Sequence, residues 1–94
     1  MIKKQTIFEQ LRIFICTELM KRPEYELEID EPLISGGIID SLALAQIGVF
    51  IETAFGVIIP DTDLTVEKMD TLNLIAKQIE QVHQELHDEV SGIT

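Results

Sequence analysis

The chain has 94 residues, 46% hydrophobic but only 5% aromatic, with no tryptophan and a formal net charge of -10 from 17 acidic and 7 basic side chains. Such a length makes one small domain, spanning residues 1–94, with a thin core filled by aliphatic side chains. The charge argues against nucleic acid and anionic membrane surfaces, which call for clustered basic residues, and favours basic partners.

The start, Met1-Ile2-Lys3-Lys4, is not followed by the apolar segment of a signal peptide, and no apolar run is long enough to cross a bilayer. A cytoplasmic, monomeric protein is expected, with residues 1–5 and 88–94 frayed. The first helix is predicted to begin at Thr6, because Thr6 and Glu9 have capping-box spacing. Phe8, Leu11, Ile15 and Leu19 then share one stripe, widened by Ile7 and Phe14. Pro23 ends this helix near Lys21-Arg22. Cys16, the only cysteine, has no disulfide partner and reads as a half-buried small hydrophobe in a reducing compartment.

Residues 22–40 form a long acidic connection, with Leu27, Ile29, Leu33 and Ile34 as pins onto the helices. A connection of that length in a compact domain usually has a task. It ends in Ser35-Gly36-Gly37-Ile38-Ile39-Asp40-Ser41-Leu42, where a glycine-bearing turn runs straight into an apolar helix. Gly36 and Gly37 free the backbone for a tight turn. Asp40 is the N-cap candidate, which places Ser41 at the first helical position with its hydroxyl at the surface. An anionic group on that hydroxyl would lie beside free N–H groups and the positive end of the helix dipole. On spacing alone, Asp40-Ser41 also reads as a helix cap and nothing more.

The second helix is predicted over Ser41–Phe55 and stopped by Gly56. At a helical period Leu44, Ile47, Gly48, Ile51, Ala54 and Phe55 share the core face. Leu42, Ala45 and Val49 fall opposite, where a helix serving only a core would carry charge. These three form a candidate docking surface. Val57-Ile58-Ile59-Pro60 reads as an extended, buried connector, because a lone strand would have no pairing partner. Asp61-Thr62-Asp63 reads as a turn and cap, short of the ligands a cation loop needs. A short third helix starts at Asp63 or Thr65 and runs through Met69, and Asp70-Thr71 caps a fourth. In the fourth, Leu72, Ile75, Ile79, Val82 and Leu86 repeat at three-four spacing. The predicted fold is therefore all-α, a small four-helix bundle with three longer helices, one short helix and a long first loop.

Catalytic arrangements are weak. His83 and His87 are four apart, but the acid in His83-Gln84-Glu85-Leu86-His87 sits one place too late for a zinc-protease motif, and no third ligand is evident. Ser41 lacks the Gly-x-Ser-x-Gly elbow of hydrolases, and no Walker-type or dinucleotide glycine pattern occurs. An enzyme is not expected, nor is a metal site.

Gly37-Ile38-Ile39-Asp40-Ser41-Leu42 resembles the attachment site of acyl and peptidyl carrier proteins. The resemblance continues in order through Phe55-Gly56-Val57 and Ile59-Pro60-Asp61 to Asp70-Thr71-Leu72, nearly the whole chain. It implies that Ser41 carries 4′-phosphopantetheine, moved from coenzyme A by a separate phosphopantetheinyl transferase. It further implies that Asp40 helps the transferase and its metal engage the serine, and that Leu42 supports the base of the arm and meets partners. The arm's thiol would hold acyl or aminoacyl groups as thioesters, loaded by a ligase and presented to downstream enzymes. Housekeeping fatty-acid carriers have acids two and five places after the serine, where this chain has Ala43 and Gln46. The departure moves weight toward a specialised pathway: a dedicated ligase system, a polyketide or nonribosomal peptide route, or an aminoacyl carrier. Two alternatives stay open: the housekeeping carrier, and an unmodified interaction protein built on the same fold.

Overall fold

The structure, a computed structural model, describes the backbone of residues 3–93 and the side chains of residues 3–84. Met1, Ile2 and Thr94, and the side chains of Leu86 and His87, lie outside the described residues. Four α-helices and no strand occur among the described residues: α1 (Lys4–Phe14), α2 (Ala43–Phe55), α3 (Val66–Met69) and α4 (Leu72–Ile93). A π turn, Ile15–Leu19, continues α1, and a 3₁₀ turn, Asp61–Asp63, precedes α3. The all-α expectation holds.

The start of α1 differs from expectation. Its N-cap is Lys3, with no side-chain cap bond, so Thr6 and Glu9 do not form a capping box. Ile7 and Leu11 are fully buried, and the Ile7 N–H donates to the Lys3 carbonyl at 3.1 Å, so a turn of helix must already precede Thr6. The buried stripe is Ile7, Leu11, Ile15 and Cys16, with Phe8, Phe14 and Leu19 packed at its margin. The π turn widens the helix by a residue, and the Met20 N–H reaches back to the Ile15 carbonyl at 2.8 Å. Cys16 is consequently buried rather than half-buried, and burial pushes its thiol pKa up. Lys21 closes the segment in the left-handed conformation, φ 59°, just before Pro23.

The long connection is pinned by side chains and by main-chain bonds. Leu27 and Leu33 are buried, and Ile34 packs against the core. Ile29 is instead exposed; its contribution is a carbonyl that accepts the Asn73 N–H at 2.9 Å. Arg12 Nε donates to the Leu27 carbonyl at 2.8 Å, and Cys16 Sγ donates to the Tyr25 carbonyl at 3.5 Å. The Tyr25 hydroxyl donates to Glu31, a bond that raises the phenol pKa.

Leu44, Ile47 and Ile51 of α2 face the core as expected, but the face is rotated at both ends. Ala43 is buried, Ala54 is exposed, and Phe55 is half-buried, edge-on to Phe50 at 6.1 Å between ring centres. Gly56 ends α2 at φ 67°. Val57 and Ile59 turn inward while Ile58 is exposed, so the connector is buried on one side only. Thr65 caps α3 through the Lys68 N–H, and Asp63 pairs with Lys68 instead of capping. Leu72, Ile75 and Ile79 of α4 are fully buried, with Val82 partly so.

Candidate functional site

The Asp40-Ser41-Leu42 turn opens α2 on an exposed edge of the bundle. Asp40 Oδ1 accepts the Ala43 N–H at 3.2 Å, and the Leu44 N–H donates to the Ser41 carbonyl at 3.2 Å. Asp40 thus caps the helix as its position suggests. Regular α-helix begins at Ala43, within the usual end uncertainty of a Ser41 start, and Leu42 already has helical dihedrals, φ -66° and ψ -25°. Ser41 is exposed and Leu42 is 78% exposed. The first N–H groups of a helix have no partner within it, so the Ser41 hydroxyl sits where an attached phosphate is electrostatically favoured.

Gly36 and Gly37 serve the turn for different reasons. A Cβ on Gly36 would lie 2.3 Å from the Pro32 carbonyl oxygen, so only glycine fits. Gly37 has open space around it but φ +78°, the left-handed region. Its N–H donates to the Ile34 carbonyl at 3.0 Å, and the Leu33 carbonyl accepts both the Ile38 and Ile39 N–H groups at 2.9 Å. These bonds shape the chain directly before Asp40.

Asp70 has a part in this that sequence reasoning missed. Thr71 alone caps α4, its Oγ1 accepting the Leu74 N–H at 3.0 Å. Asp70 reaches across to the loop, where Oδ1 accepts the N–H groups of Ile34 at 2.8 Å and Ser35 at 3.0 Å, and Oδ2 accepts the Ser35 hydroxyl. Partial burial pushes the Asp70 carboxyl up, but the bonds from Ser35 and Ile34 outweigh it and hold the pKa below the ordinary aspartate value. The available signal was two cap-type residues, Asp70 and Thr71, at a helix start that needs one.

The proposed docking residues Leu42, Ala45 and Val49 are all exposed, Val49 at 64%. Gln46 is exposed as well, but Ala43 is 5% exposed. Ala43 is nearly buried at the wall of an open groove, so position 43 is not a free surface site, whereas position 46 compares directly with a surface anchor. Beside Ser41 runs an open groove of about 640 Å³, bounded by Glu18 and Leu19 of the π turn, Ile34 and Ile38 of the loop, and Asp40 and Gln46. Ser41 is exposed at a capped helix start, and its neighbour Asp40 lines the groove, so a covalent arm on Ser41 starts at the surface with the groove one residue away. Among the described residues, no group of three His, Cys, Asp or Glu side chains is arranged to hold a metal. No helix among them is long and apolar enough to cross a membrane.

Residues 9–87 match a family model described as phosphopantetheine attachment site. No curated protein matches the chain.

Proposed function

The chain belongs to the phosphopantetheine attachment-site family, and from that membership we propose that it is a discrete carrier that tethers acyl or aminoacyl groups through an arm on Ser41. The family carries covalently attached 4′-phosphopantetheine, and its carrier domains are generally non-catalytic. When bound, the group supplies a long flexible arm ending in a thiol that holds cargo as a thioester. The rest falls to the chain's own residues.

Ser41 offers the oxygen. A separate transferase forms the Ser41 O–P bond and breaks the pyrophosphate bond of coenzyme A. The adenosine bisphosphate half leaves, and the hydroxyl proton passes to the transferase or to water. Asp40 holds Ser41 at the helix start by capping Ala43. Gly36 and Gly37 let the loop turn sharply enough to bring Ser41 to the surface. Tethering then raises the local concentration of cargo at each partner's site. Leu42, Ala45 and Val49 supply the docking surface for the transferase, the ligase and downstream enzymes. The reading extends to a specialised pathway, supported by exposed, uncharged Gln46 where housekeeping carriers place an acid. A cytoplasmic monomer fits the strong negative charge and the single cysteine.

The observation that carries the reading is the family match over residues 9–87, with Ser41 exposed at a capped helix start inside it. Incubation with coenzyme A, magnesium and a broad-specificity transferase should add one phosphopantetheine by intact mass. Ser41→Ala should abolish the addition and leave the helical spectrum unchanged. Wild-type protein left unmodified, while a control carrier is loaded, would favour an unmodified interaction protein.

A further inference from the structure

We propose that Asp70 is a positioning residue for modification of Ser41, acting from the α3–α4 junction by holding the loop that presents the serine. The inference rests on Ser41 being the attachment point. Asp70 makes four hydrogen bonds to three consecutive loop residues. Its carboxylate accepts from the Ile34 N–H, the Ser35 N–H and the Ser35 hydroxyl, and its main-chain carbonyl accepts the Leu33 N–H at 2.7 Å. The partners are 35 or more residues away in sequence, so these bonds fix tertiary placement. The Leu33 carbonyl in turn accepts from Ile38 and Ile39, the two residues before Asp40, and Asp40 caps the turn that contains Ser41. One hydrogen-bonded series therefore connects Asp70 to the serine.

The anchor is firm where the loop is not. Met69 and Leu72, on either side of Asp70 and Thr71, are fully buried. The loop between Ser35 and Ile38 contains two glycines, whose backbone is the least restrained of any residue. Bonds to an ionised acceptor are about twice as strong as neutral ones. Without the carboxylate, the Ile34 and Ser35 N–H groups lose their partner and the turn loses its outside tether. A serine hydroxyl displaced by about 1 Å can lose on the order of a hundredfold in transfer rate. Helix capping does not explain these contacts, since Thr71 already supplies the cap.

The test measures kcat and KM for phosphopantetheine transfer to the full-length apo-protein, with coenzyme A, magnesium and a broad-specificity transferase. Variants are Asp70→Ala, Asp70→Asn, Ser35→Ala and the buried control Ile79→Val, which loses packing in α4 and leaves the Asp70 and Ser35 side chains intact. Asp70→Ala should lower kcat/KM by about tenfold or more, since it misplaces the reacting oxygen. Asp70→Asn keeps an oxygen for both N–H groups, can donate its amide N–H to the Ser35 hydroxyl oxygen, and should lose less than about threefold, whereas Ser35→Ala loses that third bond outright. Amide exchange at Ile38 and Ile39 should quicken in Asp70→Ala while Ile47 and Ile51 stay protected. The idea is overturned if folded Asp70→Ala keeps kcat/KM within about twofold of wild type, or if Ile79→Val falls as far, which would make the effect one of general stability. Should Asp70→Ala fail to fold, Ser35→Ala decides: an unchanged kcat/KM with unchanged exchange at Ile38 and Ile39 overturns the inference. A wild type that is never modified removes the carrier reading and this inference together, whereas a modified wild type with an unaffected Asp70→Ala removes this inference alone.

Discussion

Gly36→Ala isolates the steric demand of the turn. The added methyl would lie 2.3 Å from the Pro32 carbonyl oxygen and 3.2 Å from Pro32 Cγ, whereas ordinary contacts begin at 3.4 Å. More than 1 Å must therefore open between two stretches of main chain. Pro32 cannot easily yield, because the next residue, Leu33, is fully buried and bonded to the Asp70 carbonyl. Overpacking of this kind costs about 1–3 kcal/mol. A domain of this size has roughly 5–15 kcal/mol in hand, so the variant should stay folded. Its melting temperature should fall by about 4–8 °C for each kcal/mol lost. Gly37→Ala is the companion. It meets no atom within 4 Å but must hold φ +78°, at a cost of about 1–2 kcal/mol. Asparagine tolerates that conformation, so Gly37→Asn should recover part of the loss, while Gly36→Asn should be no better than Gly36→Ala. The assay is urea denaturation followed by circular dichroism. A Gly36→Ala loss below about 0.5 kcal/mol, the range of an ordinary surface change, would refute the steric argument.

Ala43→Asp should destabilise the fold, by about 1–3 kcal/mol if its carboxylate finds no partner, because residue 43 is 5% exposed; Gln46→Glu, on an exposed site, should be nearly neutral in the same denaturation assay. Val49→Asp should leave stability nearly unchanged and weaken loading of the pre-formed holo-protein by its ligase about tenfold, roughly 1.4 kcal/mol; normal loading would remove Val49 from the docking surface. Asp70, with its pKa held below the usual value of 3.8, stabilises the fold fully above that value and loses the contribution as pH falls through the lowered one. The stability gap between wild type and Asp70→Asn should therefore narrow on going from about pH 5 to pH 2, and a gap that widened would contradict the bonding.

The helices were legible wherever a long apolar period ran unbroken. Leu72, Ile75 and Ile79 lie fully buried on α4, as their spacing requires. Asp40, Gly56 and Thr65 were readable because caps and stops use short-range chemistry. The errors share a cause. Ala43 and Ala54 are identical to a hydropathy pattern, and only tertiary packing buries the first and exposes the second. The π turn at Ile15–Leu19 rotates the last part of the first helix and draws Cys16 into the core, and no local pattern marks it. Asp70 meets Ile34 and Ser35 across 36 and 35 residues, a distance at which sequence spacing carries no directional information.

The burial of Ala43 changes the argument about partners. An absent acid at position 43, nearly buried at the wall of the groove, weighs less than the neutral, exposed Gln46. The case for apolar recognition then stands on the surface that remains. Residues 41–60 contain one charge, Glu52, while eight acids precede them and eight follow. Leu42, directly before α2, and Val49 on it are exposed large apolar side chains, and Gln46 on the same helix is neutral. A partner with a basic surface is drawn by the acidic flanks, and this attraction chiefly sets the rate of encounter and weakens with salt. If Leu42 and Val49 form the proposed docking surface, they lose water only once the partner is seated and would govern how long the complex lasts. Added salt should then slow association with a partner far more than it shortens the complex's lifetime, a division that charge pairs buried along α2 would not produce.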